Sequence, residues 1–287
     1  MRLRIWMGRA VVVLVCGAFV AAGCSSDSGG DGASGDTTTT SVAEATTTTA
    51  AAESFDILVS NDDGYQGEGL DAVVQALSEL PDTTVTVSAP ADDRTGTGGQ
   101  TTDGPLTATD EETLSGFPVT AVQGFPADSV NYALDEVLDE APDLVITGLN
   151  KGQNMGPIID ASGTVGAARA AVAASIPALA TSQGIDAEPP DYASGVEFIL
   201  QWLDENREAL IAGDATVEVT NLNIPTCATG EVRGLVEVPP AADMADRDYN
   251  AADCASTEED PPDDVGAFNI GFASIGPIPA EPAQPTG

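Results

Sequence analysis

The octapeptide Ile57-Leu58-Val59-Ser60-Asn61-Asp62-Asp63-Gly64 passes from an apolar, β-branched run into an amide, two adjacent carboxylates and a glycine. A buried strand of an α/β sheet that ends this way delivers hard oxygen donors to the crevice at its carboxyl end. Asp62 and Asp63, with Asn61 beside them, suit Mg²⁺ or Mn²⁺, which take oxygen ligands and retain waters. The same residues would also serve as a polar turn that caps the next helix. Two later stretches carry matching chemistry. One is Asp92-Asp93-Arg94-Thr95-Gly96, and the other runs from Gly148-Leu149-Asn150-Lys151-Gly152-Gln153-Asn154-Met155-Gly156 into Ser162-Gly163-Thr164-Val165-Gly166. Ser-Gly-Thr at a helix start offers backbone N–H groups, hydroxyls and the positive end of the helix dipole, a combination suited to phosphate. A plain serine N-cap with a permissive glycine would read the same way.

The chain contains no histidine. That absence excludes a Ser-His-Asp triad, Cys-His dyads, His-ligated zinc and phosphohistidine chemistry. Any hydrolysis must rely on carboxylates, hydroxyls, amides and a metal. The Asp residues at the strand end are adjacent rather than alternating, which disfavours an EF-hand Ca²⁺ loop. The same spacing lacks the Asp-x-Asp nucleophile pattern of the haloacid dehalogenases.

The elements that must position these loops alternate along the chain. Patterning predicts strands over Phe55–Ser60, Thr84–Ser88, Pro118–Val122, Asp143–Thr147, Ala178–Thr181 and Thr216–Leu222. Helices are expected over Gly69–Leu80, Pro126–Leu138 (with proline in its first turn), Ala167–Ala174 and Asp191–Leu210. The polar loop Ala91–Gly104 is long enough to expect a function for it. After Pro225 the character changes, with β-like pieces at Val232–Val238 and Phe268–Ile275 around an acidic segment. Alternation of this kind predicts an α/β fold, a Rossmann-like three-layer sandwich with a mainly parallel sheet and a C-terminal β-rich extension.

The first part of the chain reads as an address. Arg2, Arg4 and Arg9 precede an apolar run from Ala10 to Ala22 that is short for a bilayer span, and Ala21-Ala22-Gly23-Cys24 closes it. Residues 1–23 are therefore expected to be a signal peptide of lipoprotein type, with Cys24 as the lipidation site. Residues 24–54, with runs at Thr37–Thr40 and Thr46–Thr49, offer almost nothing to bury and read as a flexible tether. Residues 55–287 would form the functional domain, with 55–225 as the α/β core, 226–278 as the extension and 279–287 as a tail. Such a chain would sit at the cell envelope, on the outer face of a bacterial cytoplasmic membrane, touching the membrane only through its lipid.

The whole chain has 9 Lys+Arg against 46 Asp+Glu, a formal charge of −37. Three of those basic residues lie in the signal, so the processed chain is more acidic still. A field of that sign repels polyphosphate backbones, so a nucleic-acid polymer is a poor partner. It also opposes small phosphate esters unless a metal cancels charge locally. With Cys16 and Cys24 in the signal region, Cys227 and Cys254 are left to pair in an oxidising compartment. Closing that loop would stabilise the fold by about 3 kcal/mol through the unfolded state.

The motifs, taken in order, resemble the SurE family of stationary-phase survival nucleotidases. The residues that carry the resemblance begin with Ser60-Asn61-Asp62-Asp63-Gly64, Ala89-Pro90 with Arg94-Thr95-Gly96, and Gly124-Phe125-Pro126-Ala127-Asp128. They continue with Pro142-Asp143-Leu144-Val145 into Gly148-Leu149-Asn150, then Ser162-Gly163-Thr164-Val165-Gly166 and Asn221-Leu222-Asn223-Ile224-Pro225. The resemblance implies metal-dependent hydrolysis of nucleoside monophosphates by a 5′/3′-nucleotidase, and a homodimer formed through the C-terminal arm. It implies Asp62, Asp63, Asn150 and Thr95 as ligands of a divalent metal (Mg²⁺ or Mn²⁺), with Asp62, Asp63 and Asn150 catalytic. Thr95 stands where the family has serine, and the second loop is poorer in arginine than the family's. Asn154, Ser162, Gly163 and Thr164 would bind the phosphate. Two other readings remain open: a broader acid phosphatase on small phosphate monoesters, and a metal- or nucleotide-binding lipoprotein without turnover.

Overall fold

The structure, a computed structural model, describes residues 54–244 and 247–282. The expected signal, Cys24, nearly all of the tether and the last five residues lie outside the described residues. The chain order is β1 (Phe55–Ser60), α1 (Glu68–Ser78), β2 (Thr83–Pro90), β3 (Ala108–Glu112), β4 (Pro118–Val122) and α2 (Pro126–Tyr132). A π turn over Ala133–Val137 prolongs α2, and β5 (Leu144–Lys151) follows. Next come a 3₁₀ turn over Gly156–Ala161, α3 (Gly163–Ala173), β6 (Ala178–Gln183), α4 (Tyr192–Ile211) and β7 (Val219–Ile224). The extension supplies β8 (Leu235–Glu237), α5 (Asp264–Asn269) and β9 (Ala273–Ile278).

Among the described residues the strands form one sheet in the order β3-β4-β2-β1-β5-β6-β7-β9-β8. The strands from β4 to β7 pair in parallel, β3 and β9 run antiparallel to β4 and β7, and β8 lies parallel to β9. Strand order reverses at β1 and β5: the chain builds outward through β2 and β4 on one side, then through β6 and β7 on the other. A crevice opens at the carboxyl ends of such a pair, because the connections leave in opposite directions. Both strands that border the crevice end in the loops singled out above.

Successive strand residues alternate between the two faces of the sheet, and both faces here are covered. Ile57 and Val59 pack with Leu70, Val73, Val74 and Leu77 of α1 and with Ile199 and Leu203 of α4. Leu58 and Val145 pack on the other face with Val130 of α2 and Val165, Ala168 and Ala171 of α3. Alanines let α3 lie close to the sheet, and that closeness brings its N-terminus to the end of β1. The three-layer sandwich is therefore the observed fold, and the extension adds its strands to the same sheet.

Several boundaries shift by a few residues, and three differences go beyond that. Strand β3 has the polar sequence Ala-Thr-Asp-Glu-Glu, which carries no core face; it exists because the edge position lets it pair with β4 alone. Strand β5 runs on to Lys151, with a register shift against β6 between Thr147 and Asn150. Phe268 lies in α5, fully buried, and the last strand begins only at Ala273. Cys227 and Cys254 are joined by a disulfide with their Cα atoms 5.8 Å apart. No described helix is long and apolar enough to cross a membrane.

Candidate active site

Strand β1 hands the chain to Asn61 and Asp62 while it is still deep in the sheet, and Gly64 then turns it at φ +89°. A Cβ on Gly64 would stand 3.1 Å from the backbone carbon of Asp92, so glycine is required both by the turn and by the approach of the second loop. Asn61 braces the turn by donating from Nδ2 to the Gly64 carbonyl at 2.9 Å. Its Oδ1 is buried without a hydrogen-bond partner.

Asp62 is only 2% exposed. The Thr164 hydroxyl donates to its Oδ1 at 2.6 Å, and the Arg94 N–H donates to its backbone carbonyl at 2.7 Å. Gly163 allows this contact, since a Cβ there would lie 2.8 Å from Asp62 Oδ2. Burial pushes the Asp62 carboxyl up to about 7; the Thr164 hydrogen bond opposes that shift and the neighbouring Asp63 charge adds to it. Asp63 is less enclosed and accepts at Oδ2 from the Lys151 N–H at 3.1 Å. Its carboxyl is also raised, chiefly by burial, with the Asp93 charge adding and Lys151 opposing.

Strand β5 brings Asn150 to the same crevice. Its Nδ2 donates to the Gly152 carbonyl at 2.5 Å, which fixes the amide and leaves Oδ1 buried without a partner. A buried amide oxygen with no donor, close in the fold to two carboxylates, is the arrangement a hard cation satisfies. Among the described residues no group of three or more His, Cys, Asp or Glu side chains could hold a metal. An ion here must therefore recruit amide and hydroxyl oxygens beside Asp62 and Asp63, which is the donor set present.

The remaining residues divide. Ser162 caps α3, its Oγ accepting from the Val165 N–H at 3.1 Å, and its own proton remains available to a ligand. The Thr164 hydroxyl proton goes to Asp62, so in this structure that hydroxyl orients a carboxylate. Asn154 is buried and held by internal partners. It donates from Nδ2 to Ser182 Oγ at 2.9 Å and from its backbone N–H to Asn223 Oδ1 at 2.6 Å, while Asn221 Nδ2 donates to its carbonyl at 2.8 Å. Thr95 lies in an exposed turn, where its backbone N–H and hydroxyl donate to Asp93 Oδ1 at 2.8 and 2.6 Å. The threonine's lone pairs stay free, while its proton belongs to Asp93.

Sequence reasoning assigned no role to Asp93, Asn221 or Asn223. The paired acids before Arg94 were a signal for the first. The alternate-residue spacing Asn221-Leu222-Asn223 on a buried strand was a signal for the others, since both amides face Asn154. Arg94 is anchored by its Nε, which donates to the Gly124 carbonyl at 3.2 Å, and its guanidinium lies 5.7 Å from the centre of the Phe125 ring. Lys151 is half-exposed, 3.5 Å from Glu188.

Comparison with known proteins agrees with this arrangement. The family model described as Survival protein SurE matches residues 57–250. The 5′-nucleotidase SurE of Geobacter sulfurreducens is 37% identical over 194 residues, covering 67% of this chain and 69% of that one. The 5′-nucleotidase SurE of Moorella thermoacetica is 35% identical over 244 residues, covering 77% and 89%. The crystal structure of the SurE protein from Aquifex aeolicus superposes with a TM-score of 0.63 over 80% of this chain and 95% of its own, at 24% identity, and supports the fold. A doubly wound sheet with an Asp-Asp loop at its switch point, read together with a family match over most of the described chain, leads to one conclusion: the chain belongs to the SurE family.

Proposed function

We propose that this protein is a metal-dependent nucleotidase that hydrolyses nucleoside monophosphates to nucleoside and inorganic phosphate. The activity is the one its relatives are named for. One observation carries the reading onto this chain: the unpartnered Asn150 Oδ1 in the crevice where Asp62 is buried and Asp63 half-buried. Asp62, Asp63 and Asn150, with the lone pairs of Thr95, would hold a divalent cation such as Mg²⁺ or Mn²⁺. Bound there, the cation would neutralise phosphate charge and polarise a phosphoryl oxygen.

The chain's own residues supply the rest. The start of α3 would offer phosphate oxygens the Ser162 hydroxyl and the Gly163 backbone N–H, while the donors of Thr164 serve Asp62. Charge spread over the equatorial oxygens in the transition state is stabilised by such fixed donors, which need not reorient during reaction. Lys151 adds a positive charge at the rim. Water attacks phosphorus and the P–O ester bond breaks, with the leaving oxygen taking a proton as nucleoside departs. With no histidine in the chain, the carboxyls of Asp62 and Asp63 are the groups at hand to take the proton from that water. Thr164 fixes which Asp62 oxygen faces the crevice.

Alongside the chemistry we place the enzyme at the cell envelope, secreted, lipid-anchored at Cys24 and held on the tether, as the basic start, apolar run and Cys24 support. A homodimer is the family expectation. The test is phosphate release by the purified full chain from nucleoside 5′- and 3′-monophosphates with Mn²⁺ or Mg²⁺, beside Asp62→Asn/Asp63→Asn. Metal-dependent release lost in the double variant is the expected result. Tight metal or nucleotide binding without release would leave a binding lipoprotein instead. Equal rates on non-nucleotide phosphate monoesters would leave a broader phosphatase.

A further inference from the structure

The loop from Lys151 to Gly156 is held from two sides. From inside, the Gly152 N–H donates to the Gln183 carbonyl at 2.8 Å, and Asn154 is gripped by Ser182, Asn221 and Asn223. From outside comes the C-terminal extension. The Tyr249 hydroxyl donates to the Gln153 carbonyl at 2.7 Å and accepts from the Met155 N–H at 3.2 Å. In return Gln153 Nε2 donates to the Tyr249 carbonyl at 2.7 Å and to Asn250 Oδ1 at 2.9 Å. At the far end Asp264 Oδ2 accepts from the Gly156 N–H at 2.9 Å, while its Oδ1 accepts from Ala241 and Val265.

The segment that carries Tyr249 is itself anchored. Asn269 Nδ2 donates to the carbonyls of Asp248 and Ala251 at 2.8 and 2.6 Å. The Asp253 N–H donates to the Asn269 carbonyl at 2.9 Å, and the neighbouring Cys254 is bonded to Cys227. A strap fixed at α5 and at a disulfide thus presses one phenol onto the loop between Asn150 and the start of α3. Nothing about tyrosine as such is needed for packing here: Phe would fill the same space without reaching either backbone group.

We infer that Tyr249 is a positioning residue for the proposed nucleotidase reaction, and that the stapled extension, through its hydroxyl and Asn250, sets the geometry of the Asn150–Gly156 loop. The inference rests on the nucleotidase reading only for its consequence in turnover. Two hydrogen bonds to main-chain groups on alternate residues fix the loop path, and displacement of a donor by about 1 Å costs up to about a hundredfold in rate. The strap needs no contact with substrate to do this.

The test compares full-length wild type with Tyr249→Phe in two independent readouts. In turnover with Mn²⁺ and a nucleoside 5′-monophosphate, kcat per folded molecule is expected to fall about tenfold with KM within about twofold, the pattern of a lost transition-state alignment. In amide hydrogen exchange, the Met155 N–H is expected to exchange faster while the strands keep their protection. An unchanged kcat per folded molecule overturns the inference, as does unchanged exchange at Met155. Should Tyr249→Phe fail to fold, exposed Asn250→Ala asks the same question: a lower kcat at constant KM upholds it, and wild-type kcat overturns it. Wild type that releases no phosphate at all defeats the nucleotidase reading instead, and exchange at Met155 then still decides whether the strap holds the loop.

Discussion

Two loops of this protein carry a pair of adjacent aspartates, and the fold treats them oppositely. Asp62 and Asp63 follow β1, in the centre of the sheet, where α3 closes over them. Asp92 and Asp93 follow β2 and lie exposed. In the first loop burial raises both carboxyls, Asp62 to about 7. In the second, Asp93 organises its own turn through Thr95, and Asp92 makes a loose pair with Arg94 at 3.9 Å. The same two residues thus become a candidate cation site in one place and surface in the other. Strand position, not residue type, makes the difference.

The largest break in that comparison should come from exchanging charges. Asp62→Asn/Asp63→Asn is expected to lower metal-dependent phosphate release by roughly a thousandfold or more, while Asp92→Asn leaves it within about twofold; steady-state kinetics at saturating Mn²⁺ read both. If Asp92→Asn did as much damage, burial would not be the distinction.

Next in size is the closeness of α3. Gly163→Ala puts a methyl against Asp62, so either the helix start or the carboxylate must move. A fall of about ten- to a hundredfold in kcat/KM is expected from a shift on that scale. A crystal structure of the variant with an undisturbed Asp62 and full activity would show that the contact is slack.

A third prediction concerns pH. Asp62 has its folded pKa raised to about 7 from 3.8. In the metal-free protein its contribution to stability is fully present below about pH 4 and is lost as pH rises through 7, because the folded state must then bury a charge that the unfolded chain keeps in water. The loss is on the order of a few kcal/mol. Thermal melts of metal-free wild type from pH 5 to 8 should therefore fall more steeply than those of Asp62→Asn. Parallel curves would remove Asp62 as the cause.

Asp71 sharpens the same contrast at the smallest scale. Burial raises this carboxyl too, but hydrogen bonds outweigh it. Thr113 Oγ1 donates at 2.6 Å, and Ser115 donates from Oγ at 2.7 Å and from its N–H at 2.9 Å. The net shift is downward. Its contribution runs the other way, present above the unfolded pKa and lost as pH falls through the folded one. Asp71→Asn should cost about 1–2 kcal/mol at pH 7 and progressively less toward pH 3 in urea melts. Where donors gather around a buried acid, it is structural. Where they are few, it is poised for a cation or a proton.

How much of this was legible beforehand follows the same line. The strand that ends in Asn-Asp-Asp-Gly and the Ser-Gly-Thr helix start are short, contiguous patterns and fell where the pattern placed them, whereas Asn150, expected in a loop, lies near the end of β5. The edge strand β3 was not legible, because a strand paired on one side needs no apolar face. Phe268 read as part of a strand since a lone buried aromatic fits either period. The Thr164–Asp62 hydrogen bond was not legible, because the two residues lie 102 positions apart, beyond the reach of any local pattern. The partners of Asn154 were hidden for the same reason, since they lie on β6 and β7.

By itself the sequence determined the alternation of elements, and with it the crevice between β1 and β5 and the kinds of oxygen atom that could reach it. It also excluded histidine chemistry outright. Only the tertiary structure decided which hydroxyls still have a proton to give, which amide oxygens lack a partner, and which of two aspartate pairs is drawn in from solvent. Those are properties of contacts between distant segments. Local residue order sets the donors, but solvent exclusion by the packed layers sets what each donor is able to do.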